Sequence, residues 1–108
     1  MTDVKTADRE LQTYIRPQTF PVAIRMLKPG EEIPEHDESG RDHEEVFLVL
    51  DGDAVMVVEG VDHPLRTGSF ARLDPALRRT VRNDADVVAR VLIISAPLVS
   101  GYELLDWA

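Results

Sequence analysis

The chain contains no cysteine, so neither a disulfide nor a thiolate metal site holds it together. It has no apolar run approaching the ~20 residues of a membrane-crossing helix. Its first ten residues, MTDVKTADRE, offer no apolar segment for a signal peptide. The expectation is a cytoplasmic protein with no membrane partner. Positive charge is scarce: 12 Lys and Arg stand against 20 Asp and Glu, a net charge of −8. Such a chain repels polynucleotides, so no nucleic-acid partner is expected. Internal segments of helical period are missing too, which excludes a parallel α/β sheet. There is no repeat and no low-complexity stretch. What remains is one domain of 108 residues, 44% apolar, enough to bury a core of its own.

The apolar residues recur at the period of strands. Thr19–Leu27 alternates, with Phe20, Val22, Ile24 and Met26 on one face, and Pro21 favours its start or an edge. Further strands are predicted over Glu45–Leu50, Ala54–Glu59, His63–Arg66, Phe70–Leu73, Arg79–Arg82 and Val87–Ser95. Asp51-Gly52 between two β-rich runs predicts a hairpin, and Gly60-Val61-Asp62 predicts the next turn. Asp8–Ile15 places Leu11 and Ile15 four apart, which suits a short helix ended by Pro17. Gly101–Ala108, with Leu104 and Trp107 three apart, suits a single helical turn. Short strands with turns every 8–12 residues mean an all-β sandwich or barrel.

Charge is unevenly placed along this pattern. Residues 31–45 hold eight acids against one base, Arg41, whereas residues 66–90 hold six arginines against three acids. The two zones face each other or water, or some of the arginines line an anion pocket. The acidic zone lies in GEEIPEHDESGRDHEEVFLVLDG, from Gly30 to Gly52, and puts ionisable side chains where a buried strand begins. Alternation places Glu45 on the face of Phe47 and Val49. His36 is expected in a pocket, His43 exposed in the loop unless the lengthened segment folds it back, and His63 solvated on an edge strand. Arg72, Arg78 and Arg82 belong on an outer face or in a subunit interface, while Met26, Met56, Phe47 and Phe70 belong to the core or a pocket wall.

From Gly30 to Asn83 the chain resembles the cupin superfamily, a small double-stranded β-helix or jelly-roll barrel. The family's first motif is G, five residues, H-x-H, three or four residues, E, six residues, G. Gly30, His36, Glu45 and Gly52 follow it. The second is G, five residues, P-x-G, two residues, H, three residues, N. Gly68 and Asn83 follow that one. The resemblance implies an all-β cupin barrel over residues 19–108, with residues 1–18 as a tail or short helix and short helical turns at the termini. In metal-dependent members, the motif histidines and glutamate bind one divalent ion. Here Glu38 stands at the second position, the segment SGRDH lengthens the gap to Glu45, and Arg79 replaces the last histidine. Asp74 and Ala76 replace the motif's Pro and Gly, and Pro75 is expected to take over the turn. A guanidinium carries no lone pair for a metal and sets a positive charge beside it. His36, Glu38 and Glu45 can still form a mixed N/O site, but a bound metal is the less favoured reading.

What this implies for function is a small single-domain cupin that binds a small organic ligand, anionic in one version, inside the barrel. Arg79 would hold the anion, with Phe47 and Glu38 as further ligand contacts, and His36 and Glu45 would carry protons as in a metal-independent isomerase or cyclase. The alternatives are a non-catalytic ligand-sensing or structural cupin and a divalent-metal cupin with the mixed site. Exposed sheet edges and apolar termini lead to the expectation of a homodimer.

Overall fold

The computed structural model describes residues 13–15 and 20–99, together with 103, 105 and 106. Eight strands follow in order: β1 (Thr13–Ile15), β2 (Val22–Leu27), β3 (His43–Asp51), β4 (Ala54–Val58), β5 (Val61–Leu65), β6 (Phe70–Leu73), β7 (Arg79–Arg82) and β8 (Ala89–Pro97). They form a five-stranded sheet, β1-β2-β8-β3-β6, and a three-stranded sheet, β5-β4-β7, with every pairing antiparallel. This is the all-β barrel that the alternation predicts. Among the described residues no helix is long and apolar enough to cross a membrane.

Both sheets bury one face, and the core lies between them. Phe47, Val49 and Val91 from the larger sheet meet Met56, Val81 and Leu65 from the smaller. Each large side chain taken wholly out of water here stabilises the fold by ~1.5–3 kcal/mol. The register fixes which residues share that inner face. Glu45 lies opposite Ser95, Phe47 opposite Ile93, and Val49 opposite Val91. Ala23, Arg25 and Leu27 of β2 continue the same layers beyond Ile93, Val91 and Ala89.

Four local expectations are corrected. The turn at Asp51-Gly52 does not close a hairpin, because β3 and β4 belong to different sheets. An Asp-Gly pair reverses the chain in either setting, and β8 and β6 already occupy both edges of β3. Gly52 has φ +76°, and a Cβ there would lie 2.6 Å from the Val88 carbonyl oxygen, so the corner needs glycine twice over. The tight hairpin is the next one. Val58 pairs with Val61 across Glu59 and Gly60, both at positive φ as the favoured two-residue hairpin turn requires. Thr13–Ile15 is extended rather than helical: three residues alongside β2 satisfy their backbone in a ladder, where an isolated short helix is marginal. Residues 8–12 lie outside the described residues, as do most of 101–108, including Leu104 and Trp107. Phe70 is not core. It pairs with Leu48 on the outer face of the edge strand β6 and is 68% exposed, and half-buried Met26 is on that outer face as well.

One buried polar residue ties the far end of the barrel. The Asn83 side chain is fully enclosed, donates to the Leu27 and Val87 carbonyls at 2.9 and 2.8 Å, and accepts from the Ala85 amide at 2.9 Å. Its backbone pairs with Gly30 and Glu31. The acidic loop is thereby sewn to β7, first at Glu32 opposite Arg82 and then at His36 opposite Arg79.

Candidate functional site

At the other end, three elements bring charged side chains together. The loop along β7 delivers His36 and Glu38, the start of β3 delivers Glu45, and the start of β7 delivers Arg79. His36 and Arg79 exchange both backbone hydrogen bonds, at 2.9 and 2.8 Å, which fixes the imidazole over the start of β7. The His36 ring is anchored through Nδ1, which donates to the Pro34 carbonyl at 2.9 Å. A carbonyl only accepts, so the proton sits on Nδ1 and Nε2 is the working nitrogen. Nε2 faces Glu38 Oε1 at 3.4 Å and Glu45 Oε1 at 3.5 Å. Both carboxylates are buried, whereas the His36 side chain is 36% exposed and forms the solvent-facing part of the group.

Arg79 lies behind this group and is wholly buried. Its Nη1 donates to Glu45 Oε1 at 2.6 Å, its Nε to the Leu77 carbonyl at 2.7 Å, and its Nη2 to the Asp74 carbonyl at 2.6 Å. The guanidinium therefore holds the Asp74–Leu77 turn in shape while compensating Glu45. That turn closes through Leu77 N to the Asp74 carbonyl, and buried Pro75 offers its carbonyl to the Glu38 amide. Pro75 thus serves the turn in which the family's glycine is missing. With no exposed atom, Arg79 cannot clamp an anion arriving from solvent. Phe47 is likewise fully enclosed in the core.

The lengthened segment SGRDH does not displace Glu38. Arg41 and His43 both donate their amides to the Glu38 carbonyl, at 3.1 and 3.4 Å, and Asp42 takes the left-handed conformation at φ 52°. Asp37 accepts from the Ser39 hydroxyl and amide, bonds that hold its carboxyl below the ordinary value of 3.8. Arg41 caps Glu38 Oε2 with Nη2 at 2.6 Å and Nε at 2.8 Å. The extra residues form a closed local loop, and the site is kept.

His36, Glu38 and Glu45 present three donor atoms within 4.8 Å of one another, the spacing of a metal site. Their charge argues the other way. Two carboxylates are already matched by two guanidinium groups, and Arg79 hydrogen-bonds the very oxygen of Glu45 that faces His36. A divalent cation would add two uncompensated charges a few ångströms from Arg79. The residues present do not fit a resident divalent metal.

Alternation along the sequence missed one pair. His43 is half-buried on the inner face of β3, and its Nδ1 lies 3.0 Å from Ser95 Oγ, itself buried opposite Glu45. The expected exposure of His43 is corrected. Its inward direction follows from its even spacing to Glu45 and Phe47, a signal hidden by uncertainty over where β3 begins. His63 is exposed on β5 as expected. The two charge zones do meet: Arg72 pairs with Glu44 at 2.6 Å and Arg78 with Glu35 at 3.5 Å, both on the outer surface.

Comparisons with known proteins agree with this architecture. Residues 23–95 match the Cupin domain family. Protein SchB from Streptomyces halstedii is 33% identical over 84 residues, 77% of this chain, and the match spans 59% of SchB's own length. A cupin protein from Bacteroides fragilis superposes with a TM-score of 0.80 over 98% of this chain and 96% of that one, at 20% identity. A cupin-superfamily sugar phosphate isomerase from Silicibacter pomeroyi superposes with a TM-score of 0.64 over 73% of this chain and 51% of that one, at 22% identity. The motif spacing, the two-sheet barrel and the family match over most of the chain lead to one conclusion: this protein belongs to the cupin family.

Proposed function

We propose that this cupin binds a small organic molecule at the mouth of its barrel and moves a proton on it without a metal, as an isomerase or cyclase does. The observation that carries this reading is the setting of His36. Its Nδ1–H is fixed on a backbone carbonyl, its Nε2 faces two buried carboxylates, and the ring reaches solvent. In this role Nε2 takes a proton from carbon next to a carbonyl group, and Glu45 stabilises the resulting imidazolium. Returning the proton to a different atom completes an isomerisation. Arg79 holds Glu45 in place by its 2.6 Å hydrogen bond without touching the ligand. The likeness to a sugar phosphate isomerase is one of fold and supports the reaction class only in general terms.

The test is proton exchange in deuterated water. Purified protein is incubated with 2,4-pentanedione and a panel of enolisable aldehydes and ketones, and loss of the α-proton signal is followed by NMR. Catalysed exchange that falls by about 10²–10⁴ in His36→Gln supports the proposal. Exchange at the buffer rate for the whole panel, or exchange unchanged in His36→Gln, refutes it. The second result of interest is ligand binding with no exchange. That outcome would favour a non-catalytic cupin, a reading motivated by the complete enclosure of Arg79, Phe47 and Met56. A homodimer belongs to the same proposal, since β1, β6 and β5 each end a sheet. Light scattering at twice the monomer mass supports it, and monomer alone at micromolar concentration refutes it.

A further inference from the structure

A second cation, Arg25, lies on the inner side of the larger sheet, and none of the described residues answers it. Arg25 is the middle residue of the inner face of β2, between Ala23 and Leu27, and pairs with Val91, which pairs in turn with Val49. Leu27, Val49 and Val91 are core residues, so the Arg25 side chain leaves its strand on the core side of the sheet. The residue is half-buried, and its Nε is shut away from solvent without a hydrogen-bond partner. No hydrogen bond or ion pair joins Arg25 to any described residue. The contrast with its neighbours is sharp. Arg41, Arg72, Arg78, Arg79 and Arg82 each have a carboxylate partner, although only Arg79 is fully buried.

A buried N–H without a partner costs ~1–3 kcal/mol, more on a charged group. Native interiors satisfy nearly all such groups. Eight acids lie within residues 31–45, yet none reaches Arg25. A guanidinium on the face shared with apolar core residues, its Nε without a partner among the described residues, is what a carboxylate with an apolar body would complete, by a paired N–H to oxygen contact.

We infer that Arg25 is the anion anchor of this barrel, and that the ligand it takes is a small organic monocarboxylate lying between the two sheets. The inference rests on the proposed function only for the fate of the ligand, not for its binding. Arg25 lies two layers below Glu45, four residues of strand or ~13 Å along the sheet. The charged end of the ligand is therefore not the end that meets His36. Ala23, one layer nearer the mouth on the same face, carries only a methyl group.

Binding is tested directly with benzoate and propionate as probes, by calorimetry and by following the Arg25 Nε–H resonance in the full-length protein. The expected result is saturable binding with a shifted and slowly exchanging Nε–H, lost at least tenfold in Arg25→Gln and partly kept in Arg25→Lys. Because Arg25 has no partner among the described residues to lose, Arg25→Gln should melt no lower than wild type without ligand, and only wild type should gain stability from benzoate. His36→Gln should keep benzoate affinity while losing proton exchange, which separates the two proposals. Carboxylates that fail to bind wild type, equal affinity in Arg25→Gln, or an Nε–H answered by water alone would each overturn the inference. A lower melting temperature for Arg25→Gln with unchanged benzoate binding would make Arg25 structural and overturn it as well.

Discussion

Removing the guanidinium of Arg79 tests the account of the site most severely. Arg79→Ala leaves the Glu45 carboxylate 5% exposed with its one arginine partner among the described residues gone, and leaves the Asp74 and Leu77 carbonyls without their donor. Breaking a buried pair from one side costs ~3–5 kcal/mol, because a charge stays behind in a poorly solvated place. For a domain near 100 residues that corresponds to a fall in Tm on the order of 15–25 °C. Urea unfolding followed by circular dichroism measures it. The double variant Arg79→Met, Glu45→Gln should recover much of the loss, since a neutral pair of similar volume removes the stranded charge; the two carbonyls keep it below wild type. Arg79→His separates electrostatics from packing. It removes one compensating charge and sets an imidazole beside His36, Glu38 and Glu45, so zinc or nickel affinity should rise about tenfold or more, ~1.4 kcal/mol. A loss under ~1 kcal/mol in Arg79→Ala would show that Glu45 is solvated and the enclosed pair is not as described. No gain in metal affinity for Arg79→His would mean the three donors do not converge.

Three other perturbations reach the rest of the structure. Asn83→Ala deletes three side-chain hydrogen bonds at the closed end of the barrel and should cost roughly 3 kcal/mol in denaturant unfolding; a loss below ~1 kcal/mol would contradict its role. Gly52→Ala should cost about 2 kcal/mol or more, from positive φ and a 2.6 Å approach to the Val88 carbonyl, while Gly60→Asn, with nothing within 4 Å, should be close to neutral in the same melts. Hydrogen bonding to Arg82 holds the Asp84 carboxyl below its ordinary value of 3.8. Its folded value lies below its unfolded one, so its contribution to stability is present above pH ~4 and is lost as pH falls through the folded value. A carboxyl NMR titration should give a midpoint below 3.8, moving back toward it in Arg82→Gln.

Much of this protein was settled by local pattern. Alternation placed β2 to β8 with ends within three residues, because a side-chain period of two survives whatever the strands pair with. It also set Glu45, Phe47 and Val49 on one face, and the spacing from Gly68 to Asn83 put Arg79 inward with them. Partners were another matter. Alternation tells which face is buried and not which strand lies alongside, so the turn at Asp51-Gly52 read as a hairpin although the chain crosses there to the second sheet. Phe70 read as core, yet its strand ends a sheet and its side chain faces out. Loop 38–43 could not be placed from spacing, because its closure on the Glu38 carbonyl depends on Asp42 adopting a left-handed conformation. Only tertiary structure decided what each arginine does. Arg79 and Arg25 are the same residue type on inner faces of opposing sheets, and nothing local separates them. One meets a carboxylate and two carbonyls, the other has no hydrogen-bond partner among the described residues, because charge compensation inside a barrel depends on strands distant in sequence arriving together.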